Sequence, residues 1–306
     1  MRLVGLDALR GVAAILVVGF HVWAIYDVWP VFNRAYIAVD FFFMLSGYVL
    51  ARTYEGRMEP VKFAISRFRR LAPTMAIGAF IGFLAFASIG HTAPAIFLWS
   101  LIFIPTFVDG MPFVLNRPAW SIFFEYLANV AHAVVFARLN TLTLAAIAAV
   151  CAIILASQGT ELDLMGARDK YFLLGFPRVA LPYLMGIILW RTLGDKPRGP
   201  FALAVMLLVA GMAPDLPWFT DLVFVLVLSP LIIICGLGGQ RGKMLGDLSF
   251  PLYAVHYPIL QLAHWNGYHP AWGVAASLTT ATAIARWSHI KIRFKDMLDR
   301  PRLGHT

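Results

Sequence analysis

Charged side chains are scarce in this chain. Only 13% of its 306 residues are Asp, Glu, Lys or Arg, whereas 60% are apolar. An ordinary soluble domain carries about 25% charged residues. A chain with so few charges cannot cover a water-exposed surface, so we expect most of its surface to face lipid. The composition excludes a pair of soluble domains and predicts one all-α, polytopic membrane domain over residues 1–306, without a fused soluble domain.

Cysteine is also nearly absent. The two cysteines, Cys151 and Cys235, both lie inside apolar runs. This excludes a disulfide framework and a paired-cysteine zinc signature. The histidines near the end of the chain, at positions 264, 269 and 289, follow no metal-ligand spacing. We therefore predict no bound metal.

Acidic residues are fewer than basic ones, 16 against 25, which gives a formal net charge of +9. In a soluble protein this excess would suggest nucleic acid. Here the basic residues cluster in short segments, 52–70 and 286–302, between or after apolar runs. That pattern is typical of cytoplasmic loops facing anionic lipid. We expect membrane lipid as a partner and no nucleic acid.

The apolar segments are interrupted by Pro, Gly and charged residues, and no internal repeat is present. Several of them are shorter than the roughly 20 residues that a full membrane span needs. Eleven candidate runs cover residues 4–26, 36–51, 71–90, 94–108, 119–137, 141–157, 171–190, 200–213, 217–237, 246–264 and 271–288.

The distribution of basic residues predicts the topology. Segment 52–70 should be cytoplasmic because it holds six Lys or Arg residues, and two crossings then place the N-terminus inside as well. The basic tail should also be inside, but eleven crossings would put it outside. We therefore predict that the short run 94–108, which is bounded by Pro94 and Pro105, does not cross. Ten spans with both termini cytoplasmic then place every strongly basic loop on one side.

Titratable side chains within the spans are the first candidates for function, because burying them in a membrane costs several kcal/mol. His21 and Asp40 are predicted at the same depth near the external ends of two antiparallel helices, where the carboxylate could orient the imidazole. Glu125 is predicted in the same layer. Such a group suits general base catalysis or proton movement. The residues alone leave both an acyl or other transferase and a proton-coupled transporter open, and each residue could also be structural.

Arginines near the cytoplasmic ends of the helices form a second group. Asp7 and Arg10 can pair at i, i+3 on the first helix. Arg67 and Arg70 lie just before Pro73, as an ordinary positive flank or as a phosphate site at the mouth of a cavity. The phosphates of coenzyme A would suit such a site.

These residues lie within segments that resemble membrane-bound acyltransferase family 3, the bacterial cell-surface glycan O-acetyltransferases. The resemblance covers nearly the whole chain, and the order and spacing of the segments make it specific. Phe250 and Asp299 depart from a commoner Tyr and Glu. The segments are Leu6–Ala14 followed by His21, Val39–Tyr48, Arg67–Pro73, Trp120-Ser121 with Glu125-Tyr126, Leu245–Tyr253 with His256 and Pro258, and Asp299-Arg300-Pro301.

The resemblance implies an enzyme of the bacterial cytoplasmic membrane that uses acyl-CoA, usually acetyl-CoA, as donor. It implies a hydroxyl of a glycan or lipid-linked glycan as acceptor, with the chemistry carried by His21. The direct and acyl-histidine routes both stay open, as does a homo-oligomer. The predicted roles are catalysis for His21, Asp40 and Glu125, donor binding for Arg67, Arg70 and Arg10, and acceptor binding for Trp120, Ser121, Arg178 and His256.

Overall fold

A computed structural model describes residues 2–91, 94–160, 162–214 and 216–298, with side chains described up to residue 288. Within these ranges the chain is helical, and extended pairing is limited to one isolated bridge between Val108 and Met111. The basic tail after Leu298, including the Asp299-Arg300-Pro301 segment, lies outside the described residues. The predicted all-α class is confirmed.

Twelve α-helices are described. The first six are α1 Val4–Tyr26, α2 Ala38–Tyr54, α3 Pro60–Ser88, α4 Pro94–Leu101, α5 Ala119–Val134 and α6 Thr141–Ala156. The others are α7 Gly175–Leu193, α8 Phe201–Ala210, α9 Phe219–Val223, α10 Ser229–Gly236, α11 Lys243–Trp265 and α12 Pro270–Leu298. A π-helical turn, Phe224–Leu228, joins α9 to α10 as one continuous helical segment. Short 3₁₀ helices are Pro30–Phe32, Ala35–Ile37, Phe136–Arg138, Leu162–Leu164 and Asp169–Leu174.

Within the described ranges, six helical segments are long and apolar enough to cross a membrane. They are Val4–Tyr26, Pro30–Tyr54, Pro60–Ser88, Ala119–Arg138, Asp169–Leu193 and Phe219–Gly236. Large apolar side chains also point outward, as at Ile153, 68% exposed, and Met206, 61% exposed. A protein surrounded by lipid exposes apolar side chains on its outer surface. The chain is an integral membrane protein.

Helix α4 is short. It has eight residues, which corresponds to about 12 Å of helix, far less than a bilayer core. Each of the other ten predicted runs coincides with a described helix or joined helices. The count of ten spans remains a prediction, because α6 and α8 are also shorter than a full crossing.

Helix α3 begins earlier than the sequence predicts. Its first helical residue is Pro60, a position that tolerates a missing N–H, so residues 60–70 are helical and are not a loop. Phe63, Arg67, Leu71 and Met75 recur every four residues and are all buried. The spacing places them on one face of the helix. Arg67 is therefore carried inward on the buried stripe of α3.

The predicted basic loops meet at one face of the molecule. Arg52 pairs with Asp195 at 3.0 Å, which joins the α2–α3 connection to the α7–α8 connection. Arg2 pairs with Asp247 at 2.6 Å, which joins the N-terminus to the start of α11. We call this face the basic face.

The loops at the other helix ends also contact one another. Buried Arg34 pairs with Asp221 and donates to the Ala213 carbonyl at 3.2 Å. The Leu162 N–H donates to the same Asp221 carboxylate at 3.0 Å. These contacts join the α1–α2, α6–α7 and α8–α9 connections. These three connections are among those predicted outside, although Glu161 and Asp215 within them lie outside the described residues.

Helix α11 lies centrally, packed against α1, α3 and α12, and a second layer is formed by α2 against α7. The α2–α7 packing is backbone to backbone. A Cβ on Gly47 would lie 2.0 Å from the Tyr183 carbonyl oxygen, and one on Gly186 would lie 2.1 Å from that of Met44. Small residues permit such close approach between membrane helices.

Candidate functional site

A cavity lies among α1, α2, α3, α5 and α11. It encloses about 990 Å³ of space, including the part that is open at its mouth. Three arginines line it: Arg10, Arg67 and Arg70. Among the residues that the structure describes, Glu125 is the only carboxylate in the lining. With three guanidinium groups and one carboxylate, the cavity is suited to an anion, and phosphates bind guanidinium groups well.

Arg67 is the most buried of the three arginines, with 8% exposure. Its Nε atom is buried and has no hydrogen-bond partner among the described residues. Leaving a buried donor of a charged group unpaired costs free energy unless a ligand satisfies it. Arg69 and Arg70 are both exposed, but Arg70 lines the cavity and Arg69 does not.

Arg10 is held by polar groups of α1 and α11. Its guanidinium lies 3.4 Å from the Asp7 carboxylate, the predicted i, i+3 pair. It also donates to the Ser249 hydroxyl at 2.8 Å and to the Gly246 carbonyl at 3.0 Å. These contacts fix Arg10 at the wall of the cavity.

Glu125 lies in a different place from the predicted layer. Its Oε1 accepts a hydrogen bond from the Ser46 hydroxyl at 2.7 Å. Ser46 follows Asp40 by six residues on α2, or about 9 Å along the helix axis. The structure therefore places Glu125 nearer the basic face than Asp40, in the lining that it shares with the three arginines.

Asp40 and Arg178 form a fully buried ion pair between α2 and α7. The Asp40 oxygens accept from the guanidinium at 3.0 and 3.3 Å. Arg178 also donates to the Leu162 and Met165 carbonyls. The predicted contact of Asp40 with His21 is replaced by this pair, because a buried guanidinium satisfies both oxygens of the carboxylate.

Trp120 belongs to the same buried assembly. The Arg178 guanidinium carbon lies 4.8 Å from the centre of its ring, within cation–π distance. The indole is 7% exposed and does not line the cavity. Its contacts, like those of Arg178, are thus to other parts of the protein. Acceptor binding by Trp120 and Arg178 remains a prediction.

His21 pairs with His256. The Nδ1 atom of His21 lies 2.9 Å from Nε2 of His256 and 3.0 Å from the Val17 carbonyl oxygen. The centres of the two imidazole rings are 4.8 Å apart, and the Tyr257 ring packs edge-on against His21 with its centre at 5.1 Å. His256 is fully buried. The structure thus brings two of the predicted residues into direct contact across α1 and α11.

Tyr253 connects the histidine pair to the cavity. Its hydroxyl lies 2.6 Å from the Ser121 hydroxyl, and both residues line the cavity. Its ring centre lies 5.8 Å from that of His256. The cavity therefore runs from the arginines to Tyr253, which contacts His256, and His256 in turn contacts His21; neither histidine is in the cavity lining.

Ser249 and Tyr253 are the site residues that the sequence analysis missed. Together with His256 they occupy i, i+4 and i+7 positions of α11, which is the spacing of a single helix face. That spacing of polar groups within an apolar segment is visible in the sequence, and it could have indicated that these residues face the site together.

No group of three His, Cys, Asp or Glu side chains is arranged to hold a metal within the described ranges. No solved structure matches the chain significantly. Residues 3–287 match the family model described as an acyltransferase domain, acyltransferase family 3. The chain belongs to this acyltransferase family.

A relative supports this assignment. The acyltransferase is 30% identical over 186 residues to "Protein 2 in picA locus" of Rhizobium radiobacter, an alignment that covers 52% of this chain and 96% of the relative. The predicted family resemblance is confirmed over nearly the whole chain. Membership also decides between the two functions that the buried titratable residues left open. The protein is a membrane acyltransferase enzyme.

Proposed function

We propose that the protein moves an acyl group, with acetyl as the first to test, from cytoplasmic acyl-CoA to a hydroxyl group of a glycan or lipid-linked glycan. The observation that carries the proposal is the cavity itself. It combines arginines near the basic face with Ser121 and Tyr253 at the end that leads to the histidine pair. We place the enzyme in the bacterial cytoplasmic membrane, with ten spans and both termini in the cytoplasm.

The donor site is assigned to Arg10, Arg67 and Arg70. Acyl-CoA carries its phosphates at one end and its thioester at the other, joined by a long flexible arm. Arg10 and His21 are eleven residues apart on α1, or about 16 Å along the axis. Phosphates held by the arginines would leave the thioester free to extend toward His21. The unpartnered Nε of Arg67 supports an anionic ligand at this position.

His21 is assigned as the base. It takes the proton from the acceptor hydroxyl while the hydroxyl oxygen bonds to the acyl carbonyl carbon. The carbon–sulfur bond breaks, and the proton passes from the imidazolium to the departing thiolate. The products are the ester and free coenzyme A. In the alternative route His21 carries the acyl group between donor and acceptor, and trapping of an acylated histidine by mass spectrometry separates the two routes.

The acceptor is assigned by its chemistry. The family resemblance supports a sugar hydroxyl, and the membrane location supports an acceptor held near the bilayer by a lipid. The final transfer is assigned to the end of the site away from the basic face, where His21 lies toward the external end of α1.

Release of free thiol tests the function directly. Purified protein in lipid nanodiscs, given acetyl-CoA and a glycan-lipid extract, is expected to release coenzyme A thiol and form an ester on the glycan. Omission of the extract should reduce the rate to slow hydrolysis. Sustained absence of thiol release from the folded protein, across acetyl-CoA and longer acyl-CoA donors, would refute acyl-CoA as the donor.

A further inference from the structure

The hydrogen bonds of His256 determine which of its ring nitrogens carries a proton. Its Nδ1 lies 3.0 Å from the Leu252 carbonyl oxygen and 2.9 Å from that of Tyr253. A carbonyl oxygen can only accept a hydrogen bond. Nδ1 of His256 is therefore the protonated nitrogen, and in the neutral ring Nε2 carries a lone pair.

That lone pair determines the state of His21. The Nε2 of His256 lies 2.9 Å from Nδ1 of His21, so it accepts a hydrogen bond from that nitrogen. The second neighbour of the same Nδ1 is the Val17 carbonyl oxygen at 3.0 Å, which is again an acceptor. Both neighbours require a proton on Nδ1 of His21. The opposite tautomer would place a lone pair against each of them.

We infer that His256 is a positioning residue that holds His21 in the Nδ1–H tautomer and leaves the lone pair of His21 Nε2 for the reaction. Within the part of the chain that the structure describes, no hydrogen bond involves His21 Nε2. The inference rests on the proposed role of His21 as base. It differs from the predicted role of His256 in acceptor binding, because His256 is fully buried and its polar atoms are engaged within the protein.

His256 acts here as the carboxylate does in other histidine-based sites. In a Ser-His-Asp triad the carboxylate accepts from Nδ1–H and thereby fixes the tautomer. This protein places a neutral imidazole in the same position. A neutral acceptor orients the base without adding a negative charge to a membrane-buried site, where a charge costs several kcal/mol.

Two substitutions at His256 separate positioning from packing. The side-chain amide of His256→Gln can place its oxygen where Nε2 lies and accept from His21, whereas His256→Leu fills the space without an acceptor. We expect His256→Leu to lower kcat at least about tenfold with little change in KM for acyl-CoA. Loss of the right tautomer costs a triad enzyme about 10⁴-fold, but here the Val17 carbonyl remains as a second acceptor. His256→Gln should recover most of the kcat.

A spectroscopic measurement makes the test independent of activity. Protein labelled with ¹⁵N-histidine, in nanodiscs, is expected to show a protonated Nδ1 and an unprotonated Nε2 at His21, assigned by comparison with His21→Ala. In His256→Leu the Nε2–H form should become populated. A wild-type His21 protonated at Nε2 would overturn the inference, as would a folded His256→Leu with wild-type kcat.

The outcomes also distinguish this inference from the proposed function. If His21→Ala retains full activity, His21 is not the base and the proposed mechanism fails, whatever its tautomer. If His21→Ala is inactive while His256→Leu has normal kcat, the mechanism stands and the positioning role of His256 is wrong. A shift of kcat alone supports positioning, whereas a shift of KM for the glycan alone would restore acceptor binding by His256.

Discussion

The Ser46 hydroxyl donates to Glu125 Oε1 at 2.7 Å, and this bond holds a carboxylate in a cavity lining that also contains three arginines. A carboxylate there competes with phosphate for the same guanidinium groups. Glu125 therefore lies in the same cavity lining as the arginines of the proposed donor site.

Neutralising Glu125 should strengthen donor binding. Glu125→Gln keeps an acceptor for Ser46 but removes the negative charge, so we expect acyl-CoA affinity to rise severalfold, by less at high salt. Calorimetry with a non-hydrolysable acyl-CoA analogue measures this. Ser46→Ala, which removes the hydrogen bond and keeps the charge, is the matched control. A large loss of kcat with unchanged affinity in Glu125→Gln would instead support the predicted catalytic role.

Arg67→Ala and Arg70→Ala should weaken acyl-CoA binding. Each lost charge-assisted contact to phosphate should cost roughly 1.5–3 kcal/mol, or about tenfold to a hundredfold in affinity. Removing Arg67 should cost little stability because its Nε is unpaired. Arg→Lys should restore binding only in part, since lysine lacks the planar fork.

Arg69→Ala is the control for this pair. Arg69 belongs to the same basic segment and is exposed, as Arg70 is, but it lies outside the cavity lining. If the arginines serve only to orient the protein in the membrane, the Arg67→Ala, Arg69→Ala and Arg70→Ala variants should all insert poorly. Once inserted, each should bind acyl-CoA normally. Unchanged affinity in both Arg67→Ala and Arg70→Ala would refute the donor-site assignment.

His21→Ala should abolish acyl transfer in a protein that is folded and inserted, because the proposed base is then missing. The assay is thiol release together with ester formation on the glycan, at saturating donor. His91→Ala is the control, since His91 is exposed in the loop after α3. Wild-type acylation by the His21 variant would remove His21 from the mechanism.

The buried Asp40–Arg178 pair should contribute to stability more than to chemistry. Arg178→Ala leaves an uncompensated buried carboxylate, so we expect a loss of about 3–5 kcal/mol. The double variant Asp40→Leu with Arg178→Met should recover much of that loss. The unfolding midpoint in detergent measures both changes. An Arg178→Ala protein with normal stability and a raised KM for the glycan would support acceptor binding by Arg178.

The ten-span topology predicts a cytoplasmic C-terminus. A reporter enzyme fused after Thr306 should be active only in the cytoplasm, because α4 is too short to cross. A second fusion in the α7–α8 connection, next to Asp195, should give the same result as the first. A periplasmic signal at Thr306 would show that the segment around α4 crosses the membrane.

The fold was largely predictable, because the bilayer requires apolar residues in the spans and favours basic residues in the cytoplasmic loops, and both are visible in the sequence. Even the shortness of α4 followed from its two flanking prolines. The early start of α3 was not predicted, because a cluster of basic residues beside a span usually indicates a loop. The four-residue spacing of Phe63, Arg67 and Leu71, which indicates a helix, was the signal against a loop.

The partners within the site were less predictable than its members. Depth along a helix placed His21 near Asp40, but it does not specify which neighbouring helix each side chain faces. Asp40 turns toward Arg178 on α7, whereas His21 turns toward His256 on α11. Rotation about the helix axis, set by packing of distant segments, decided between these contacts.

The glycine contacts between α2 and α7 have a mechanical consequence. At Gly47 and Gly186 the two helices touch through their backbones, with no side chain between them that can yield, so α2 and α7 should move together as one rigid unit. The cavity thus has a rigid wall on its α2 side. If the cavity narrows around a bound molecule, we expect the movement in the other lining helices, α1, α3, α5 and α11.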